Sequence, residues 1–440
     1  MAVFSELPNE IICVILPLVE PEDLENFAQA ARRIQELARP LLQVHRKMIR
    51  KYCILTEGVA KGEISPLLKV ALTNSHLGRY VKEIKICCID CRYSRSDWYT
   101  EDDIASVQVV AAESKYLVPD GNIEDLCRLS LDITHRRGGI PLALLLPLLP
   151  NLEALMIEDL IGKPTPSWPE TVIMNASIAA KPVLTKLRKV QLRSHHGAGP
   201  NLRHLLRFAA LPSLRELSAF DTYGPQRTPC KCQYTFVPAS EVTKLELCDS
   251  TVDSETLCSF LQNFGKLQTF TFSTYNGVIY LILNPSLIRD ALLSLAKTTL
   301  QTLTILGHPK KLSFMGSLRE FEVLAELHTH WALLLPTTQA QLSAVLPKSL
   351  RRLSLIDEKV RDAVTYQTTL RDTLSSKLAG SLLLQHVSFE TPDFDGLSDD
   401  HFVLQRDCNE KGLSLTFSRW NDVNTEGEPK GLLRGMFNPM

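Results

Sequence analysis

Two groups of cysteines stand close enough in the sequence to raise the possibility of a metal site. They are Cys87, Cys88 and Cys91, and further on Cys230 with Cys232. Structural zinc needs four ligands at characteristic spacings, and neither group has a paired second half nearby. The eleven cysteines are odd in number and scattered, which is typical of reduced thiols. We therefore expect no metal and no cofactor.

Histidine pairs offer no better basis for catalysis. His195-His196 and His328-x-His330 lack the acidic residue between histidines four apart that marks a zinc-enzyme helix. The sequence also has no phosphate-binding glycine loop, dinucleotide fingerprint or Gly-x-Ser-x-Gly elbow. We expect a chain with no catalytic residues, in which these histidines are solvated or packed.

Charge and hydropathy restrict the partners and the compartment. The 440 residues carry 48 basic and 49 acidic side chains and a net charge of -1, which argues against a general electrostatic grip on nucleic acid or membrane. The N-terminus has no secretory signal pattern, and the most apolar run, 140–149, is short and contains two prolines. We expect a cytoplasmic or nuclear protein whose partners are recognised locally.

The stretch 7–42 is predicted to form a bundle of three short helices. Its apolar residues recur three or four positions apart, which places each set on one helical face. Pro8 and Pro21 suit the first turns of helices. Pro17 should end or kink the first helix, and Pro40 should break the chain before a further helix. A bundle this small cannot hide all of its apolar side chains, so part of that area needs a partner.

This stretch resembles an F-box. The matching positions are Leu7-Pro8-x-Glu10-Ile11, Ile15-Leu16, Pro21-x-Asp23-Leu24, Phe27-Ala28, Arg32-Arg33-Ile34 and Leu37-Ala38. The resemblance implies that the bundle binds the Skp-type adaptor of a cullin-RING ubiquitin ligase. The adaptor-binding residues that it implies are Leu7, Pro8, Ile11, Ile15, Leu16, Leu24, Phe27, Ile34 and Leu37.

The rest of the chain repeats one short pattern, in which an apolar residue is followed by two variable residues, a second apolar residue, one variable residue and a third apolar residue. It occurs at 81–86, 126–131, 152–157, 187–192, 214–219, 242–247, 267–272, 300–305, 318–323, 350–355 and 384–389, and a weaker copy ends at Phe417. Most intervals are close to the length of a leucine-rich repeat. The last two apolar residues of each copy are two apart, as on one face of a strand. Stacked strands of this kind build a solenoid with an apolar interior.

Segments between the strands carry helical spacing, most clearly at 201–208, 254–264 and 285–296. We therefore predict an α/β fold with an N-terminal three-helix F-box followed by an irregular leucine-rich-repeat-like solenoid. The predicted boundaries are 1–50 for the bundle with its linking helix and 51–419 for the solenoid. Insertions are expected near 91–121, 162–178 and 220–240, and 420–440 is predicted to be a disordered tail.

Strand alternation also predicts a binding surface, because the variable positions between inward leucines point to the open face of the sheet. The candidates for contact with a substrate protein are Lys189, Gln191, Arg193, Glu216, Lys244, Glu246 and Arg352.

These features favour a non-catalytic substrate receptor of a ubiquitin-protein ligase, with a Skp-type adaptor and cullin as partners and an unidentified protein as substrate. It would act by proximity, bringing target lysines close to a ubiquitin-loaded enzyme. Two alternatives remain. One is an F-box-bearing subunit of a complex that does not direct degradation. The other is a plain leucine-rich-repeat scaffold whose N-terminal helices only cap the stack.

Overall fold

The structure is a computed structural model. It describes residues 7–57, 63–86, 101–118, 123–134, 139–158, 167–178, 183–193, 199–224, 240–274, 283–307, 313–335, 341–357, 361, 363–378, 380, 382–391 and 397–419. The chain divides into two compact units, Met1–Ala219 and Phe220–Met440. We refer to them as unit 1 and unit 2.

Unit 1 begins with a bundle of three helices, α1 (Asn9–Ile15), α2 (Leu24–Gln29) and α3 (Arg32–Tyr52), with a 3-10 turn at Leu16–Leu18. As predicted, the first α-helix ends before Pro17. The bundle has its own core of Ile12, Leu16, Leu24, Ala28, Ile34, Ala38 and Leu42. These residues come from all three helices, so the bundle is held together by apolar packing between them.

Strands and helices alternate in the rest of unit 1. The strands are β1 (Ile54–Glu57), β2 (Glu83–Ile86), β3 (Ala154–Glu158), β4 (Lys189–Arg193) and β5 (Glu216–Phe220), and consecutive strands pair in parallel. The helices are α4 (Ile64–Thr73), α5 (Glu101–Glu113), α6 (Ile123–Thr134), α7 (Ile140–Leu145), α8 (Trp168–Ile178) and α9 (Leu202–Ala209), with 3-10 turns at Ser75–Tyr80 and Leu146–Leu148. One row of the core consists of paired, buried strand residues, namely Leu55, Ile84, Leu155, Val190 and Leu217.

Unit 2 repeats the same arrangement. Its strands are β6 (Lys244–Ser250), β7 (Thr269–Thr274), β8 (Thr302–Leu306), β9 (Glu326–His330), β10 (Arg352–Ile356), β11 (His386–Thr391) and β12 (Ser414–Arg419), again parallel and in chain order. Its helices are α10 (Ser254–Leu261), α11 (Pro285–Ala296), α12 (Trp331–Leu334), α13 (Leu342–Val345), α14 (Ala363–Leu378) and α15 (Asp399–Glu410). Inward residues from every strand are buried, so each unit has the stacked α/β organisation that the pattern predicts.

Two predicted strands are wrong, and two strands were not predicted. The copy at 126–131 lies inside α6, where Leu129 and Ile133 are buried and Leu131 is exposed, as on one helical face. The copy at 318–323 forms turns, and the strand is β9, which follows Leu324. The strand β1 was also missed. The remaining copies contain the strands β2 to β8 and β10 to β12, and the three predicted helices are α9, α10 and α11.

Pro40 does not break the chain, because α3 continues through it to Tyr52. Both Pro40 and Glu36 are exposed, so the Glu36 carbonyl that loses its helical hydrogen bond can bind water. The predicted boundary at residue 50 therefore falls inside α3. Several predictions concern residues outside the described part of the chain: the Cys87–Cys91 and Cys230–Cys232 groups, His195-His196, most of the 220–240 insertion and the tail at 420–440. The 91–121 stretch is described at 101–118, which includes α5, and the 162–178 stretch at 167–178, which includes α8.

Candidate protein-binding surfaces

The helix α1 and the turn after it are apolar on two sides. Ile12 and Leu16 face the bundle core and are buried. Ile11, Val14 and Leu18 follow the spacing of three and four on the other side, where 46%, 64% and 71% of their surface is exposed. We call these three residues the N-terminal ridge. A short helix with an apolar side turned to solvent is a candidate for contact with another protein.

The structure divides the nine predicted adaptor-binding residues into three groups. Pro8 and Ile11 are exposed, and Leu7, Ile15, Phe27 and Leu37 are partly buried. The prediction needs correction for Leu16, Leu24 and Ile34, which are buried in the bundle core and are no more than 3% exposed. They can support a docking surface from beneath, but a partner cannot reach them while the bundle is folded. Val14 and Leu18 were missed, although they continue the helical spacing from Ile11.

The bundle is tied to the repeats of unit 1 by a cluster of charged groups. Arg79 lies 2.9 Å from Glu20 and 3.5 Å from Glu22, and both carboxylates precede α2. Lys186, just before β4, lies 3.7 Å from Glu22 and donates to the Asn151 side chain at 2.6 Å. These contacts join the bundle to two different repeats, so they restrict its orientation within unit 1.

The contacts between the bundle and the repeats of unit 1 shift the pKa values of Glu22, His45 and Tyr80. Burial alone raises the pKa of Glu22, but a backbone hydrogen bond, the Asn151 amide and the positive charges of Arg79 and Lys186 outweigh burial and lower the pKa. Further along the junction, the His45 ring lies 3.1 Å from the Tyr80 hydroxyl through Nδ1. Burial lowers the pKa of His45 and raises that of Tyr80, so both groups favour their neutral forms.

On the open face of the sheet, most of the predicted substrate-binding residues already have charged neighbours. Lys189 lies 3.8 Å from Glu216, Lys244 lies 3.0 Å from Glu246, and Arg352 lies 3.2 Å from Glu326. Of the predicted set, Lys189 and Arg352 are exposed, whereas Arg193, Glu216 and Lys244 are partly buried.

Two of these predictions need correction. Gln191 and Glu246 point away from the inward leucines as predicted, but each is only 5% exposed. On β4 and β6, a side chain that points away from the core can therefore still be inaccessible to a partner. Gln191 and Glu246 are too buried to contact a partner directly.

The face of unit 2 contains a polar cluster that was not predicted as a site. His328, Ser354 and Ser388 occupy matching positions on β9, β10 and β11, and Glu390 lies two residues after Ser388. Ser388 donates to Ser354 at 2.9 Å, and Ser354 donates to Glu390. We call these four residues the Glu390 cluster. Ser354 and Ser388 occupy variable positions of the repeat pattern and Glu390 continues the same alternation, but His328 lies on β9, the strand that was missed.

Among the described residues, no group of three or more histidine, cysteine or acidic side chains is arranged to hold a metal ion. None of the helices in this part of the chain combines the length and apolar composition needed to cross a membrane.

No family model matches the chain, and no curated protein matches its sequence.

Proposed function

We propose that this chain is the substrate-recognition subunit of an SCF-type ubiquitin ligase. Its F-box-like N-terminal bundle binds a Skp-type adaptor, which links it to a cullin, and its repeats bind the target protein. The observation that carries this proposal is the N-terminal ridge, because Ile11, Val14 and Leu18 remain exposed on a bundle whose sequence resembles an F-box.

The energetics of the ridge favour a partner. Complete burial of a Val, Leu or Ile side chain contributes about 1.5–3 kcal/mol. Since the three ridge residues retain about half or more of their exposure, covering them would contribute on the order of 3 kcal/mol in total. The partly buried Leu7 and Ile15 would add contact area at the edge. This is a reasonable apolar centre for an interface that is completed by polar contacts around it.

The chain contributes to ubiquitin transfer by position and supplies no reacting group. A bound target has its lysines held near the ubiquitin thioester, which raises their effective concentration. This arrangement works best when the adaptor-binding bundle keeps a fixed orientation. The Arg79–Glu20–Glu22–Lys186 contacts support that requirement within unit 1.

Affinity purification of the full chain from cells tests the proposal. We expect the adaptor and cullin to be recovered with the wild type, and Val14→Asp to remove them, because the interface would have to bury a carboxylate without a partner. Val364→Asp is a matched control, since Val364 is an equally exposed valine on α14 of unit 2, and it should leave recovery unchanged. Absence of adaptor and cullin from the wild-type complex would contradict the proposal.

The substitution that tests adaptor binding is made at an exposed residue of the N-terminal ridge and not at the buried Leu24. A charge at Leu24 would enter the bundle core, so a loss of binding there could reflect unfolding alone. Val14 is exposed, and its substitution should leave the fold intact. Thermal unfolding of the purified variants verifies this.

Capping of the repeats is the competing role, and one observation favours it. The helix α3 runs directly into β1, and His45 on α3 contacts Tyr80, which precedes β2. Deleting the first fifty residues would cut through α3 and disturb these contacts, so a loss of stability would not separate the roles. Substitution of the ridge does separate them, because a cap alone has no need of Val14. A subunit that binds the adaptor without directing degradation would be identified by target half-lives that do not change when the chain is removed.

A further inference from the structure

The Glu390 cluster combines a nearly buried carboxylate with an incomplete set of partners. The Glu390 side chain is 17% exposed and that of His328 is 12% exposed. The Ser354 hydroxyl donates to Glu390 Oε1, and His328 Nε2 lies 3.6 Å from the same oxygen, beyond hydrogen-bond length. Within the described part of the chain, Oε2 takes part in no hydrogen bond or ion pair. One carboxylate oxygen therefore remains able to accept hydrogen bonds.

Glu390 is ionised at neutral pH. Burial alone raises its pKa, but the neighbouring His328 ring and the Ser354 hydroxyl outweigh burial and lower the pKa. Among the described residues no lysine or arginine contacts this carboxylate. Arg352, which lies on the same face on β10, is paired with Glu326 at 3.2 Å. A carboxylate that is mostly desolvated and ionised gains most from a cationic hydrogen-bond donor.

The residues across the strands from Glu390 are Ile356 on β10, which is buried, and Ser418 on β12, which is partly exposed. Beside His328 and Ser388 lie Thr304 on β8 and Thr416 on β12, both short and partly exposed. Ser388 uses its hydrogen to donate to Ser354, so its oxygen can accept a further bond. His328 Nε2 is buried and faces Glu390 Oε1, so it is not accessible to a ligand. The acceptors that the cluster presents are therefore Glu390 Oε2 and the Ser388 oxygen.

We propose that the Glu390 cluster is the anchor site for a basic side chain, lysine or arginine, of an extended protein segment bound on the open face of unit 2. The cation donates to Glu390 Oε2, and Ser388 supplies a second acceptor. This inference rests on the proposed function, since it specifies the chemistry by which the target is held. Glu390 is also more exposed than the predicted contacts Gln191 and Glu246, because its side chain is 17% exposed.

Peptide selection on the full chain tests the inference. A library of random linear peptides is selected against the wild type and against Glu390→Gln, which keeps an oxygen to accept the Ser354 hydrogen bond and so should preserve the fold. We expect wild-type peptides to share a lysine or arginine at one position, and Glu390→Gln to lose that preference. Glu326→Gln is the matched control, because Glu326 is an exposed carboxylate on the same face. It should retain the preference.

A direct measurement completes the test. Replacing the shared lysine with acetyl-lysine, or the arginine with citrulline, should weaken binding to the wild type by about tenfold or more and leave binding to Glu390→Gln nearly unchanged. An equal loss in both proteins, or selection that yields no shared basic position, would overturn the inference.

Recovery of the adaptor is measured separately through the N-terminal ridge and Val14→Asp. If the adaptor is recovered but no basic preference appears, the inference fails and the proposed function stands. If the preference appears without adaptor recovery, the proposed function fails and the cluster remains a peptide site.

Discussion

At the scale of single residues, Gly78 shows how closely two segments of unit 1 approach each other. A Cβ atom at this position would lie 2.1 Å from the Leu148 carbonyl oxygen, which is backbone and cannot move aside easily. We expect Gly78→Ala to reduce the free energy of unfolding by about 1–3 kcal/mol, because one segment has to shift. Denaturant unfolding measures this. Gly265→Ala is the control, since nothing lies within 4 Å of its added Cβ; an equal loss there would contradict the steric explanation.

His45 predicts a dependence of stability on pH. Burial lowers its pKa below the ordinary 6.5, helped by Arg46 and opposed by Glu25. As pH falls past 6.5 the unfolded chain binds a proton at His45, whereas the folded chain resists until its own lower pKa. The neutral His45 ring therefore contributes its full stabilisation above pH 6.5. This contribution is lost as the pH falls through the pKa that His45 has in the folded protein.

Thermal unfolding of the wild type and His45→Gln between about pH 7.5 and about pH 5.5 should show a smaller loss in the variant, because glutamine does not titrate. Identical losses in the two proteins would show that His45 does not contribute.

The sequence identified Ile11 of the N-terminal ridge but missed Val14 and Leu18. Ile11, Ile12, Val14, Ile15 and Leu16 are all apolar, so the spacing of three and four fits an inward face and an outward face equally well. Only packing against α2 and α3 decides which face is buried. The Glu390 cluster was hidden for another reason, because its four members come from three strands and the strand with His328 was not predicted.

At the scale of secondary-structure elements, α3 shows that an exposed proline can be accommodated inside a long helix. Pro40 cannot donate a hydrogen bond to the Glu36 carbonyl, yet burial of Ile34, Ala38 and Leu42 on the opposite side holds the helix together. Packing therefore outweighs the local preference of the residue before proline.

We expect Pro40→Ala to raise the free energy of unfolding by about 1–2 kcal/mol. Alanine restores the missing N–H donor and has the better helix propensity, although the more flexible unfolded chain reduces the gain. Gln43→Ala, at another exposed position of α3, should change stability by no more than about 0.5 kcal/mol. Denaturant unfolding compares the two, and a loss of stability in Pro40→Ala would contradict the explanation.

The repeat pattern predicted most strands because inward residues two apart are what a buried strand face requires. The pattern failed where the same residues also fit another secondary structure. In α6, Leu126, Leu129 and Ile133 also have helical spacing. Near β9, the residues from Leu318 match the full pattern, whereas those from Leu324 match only its first two apolar positions, because Thr329 occupies the third. Only the more regular interval of Leu324 between Leu300 and Leu350 favours the correct copy.

At the scale of the whole molecule, the two proposed sites belong to different compact units. The N-terminal ridge is in unit 1 and the Glu390 cluster is in unit 2. Because the two proposals assign different partners to the two sites, we expect a substitution in one site to leave binding at the other unchanged.

The central claim is that the N-terminal ridge binds a Skp-type adaptor. Its most direct test is to measure the affinity of the purified full chain for a purified adaptor by calorimetry. We predict that the wild type and Val364→Asp bind with the same affinity and that Val14→Asp binds at least about tenfold more weakly, while all three unfold at similar temperatures. Equal affinity of Val14→Asp and the wild type, or no binding by the wild type, would contradict the assignment of the N-terminal ridge as the adaptor-binding surface.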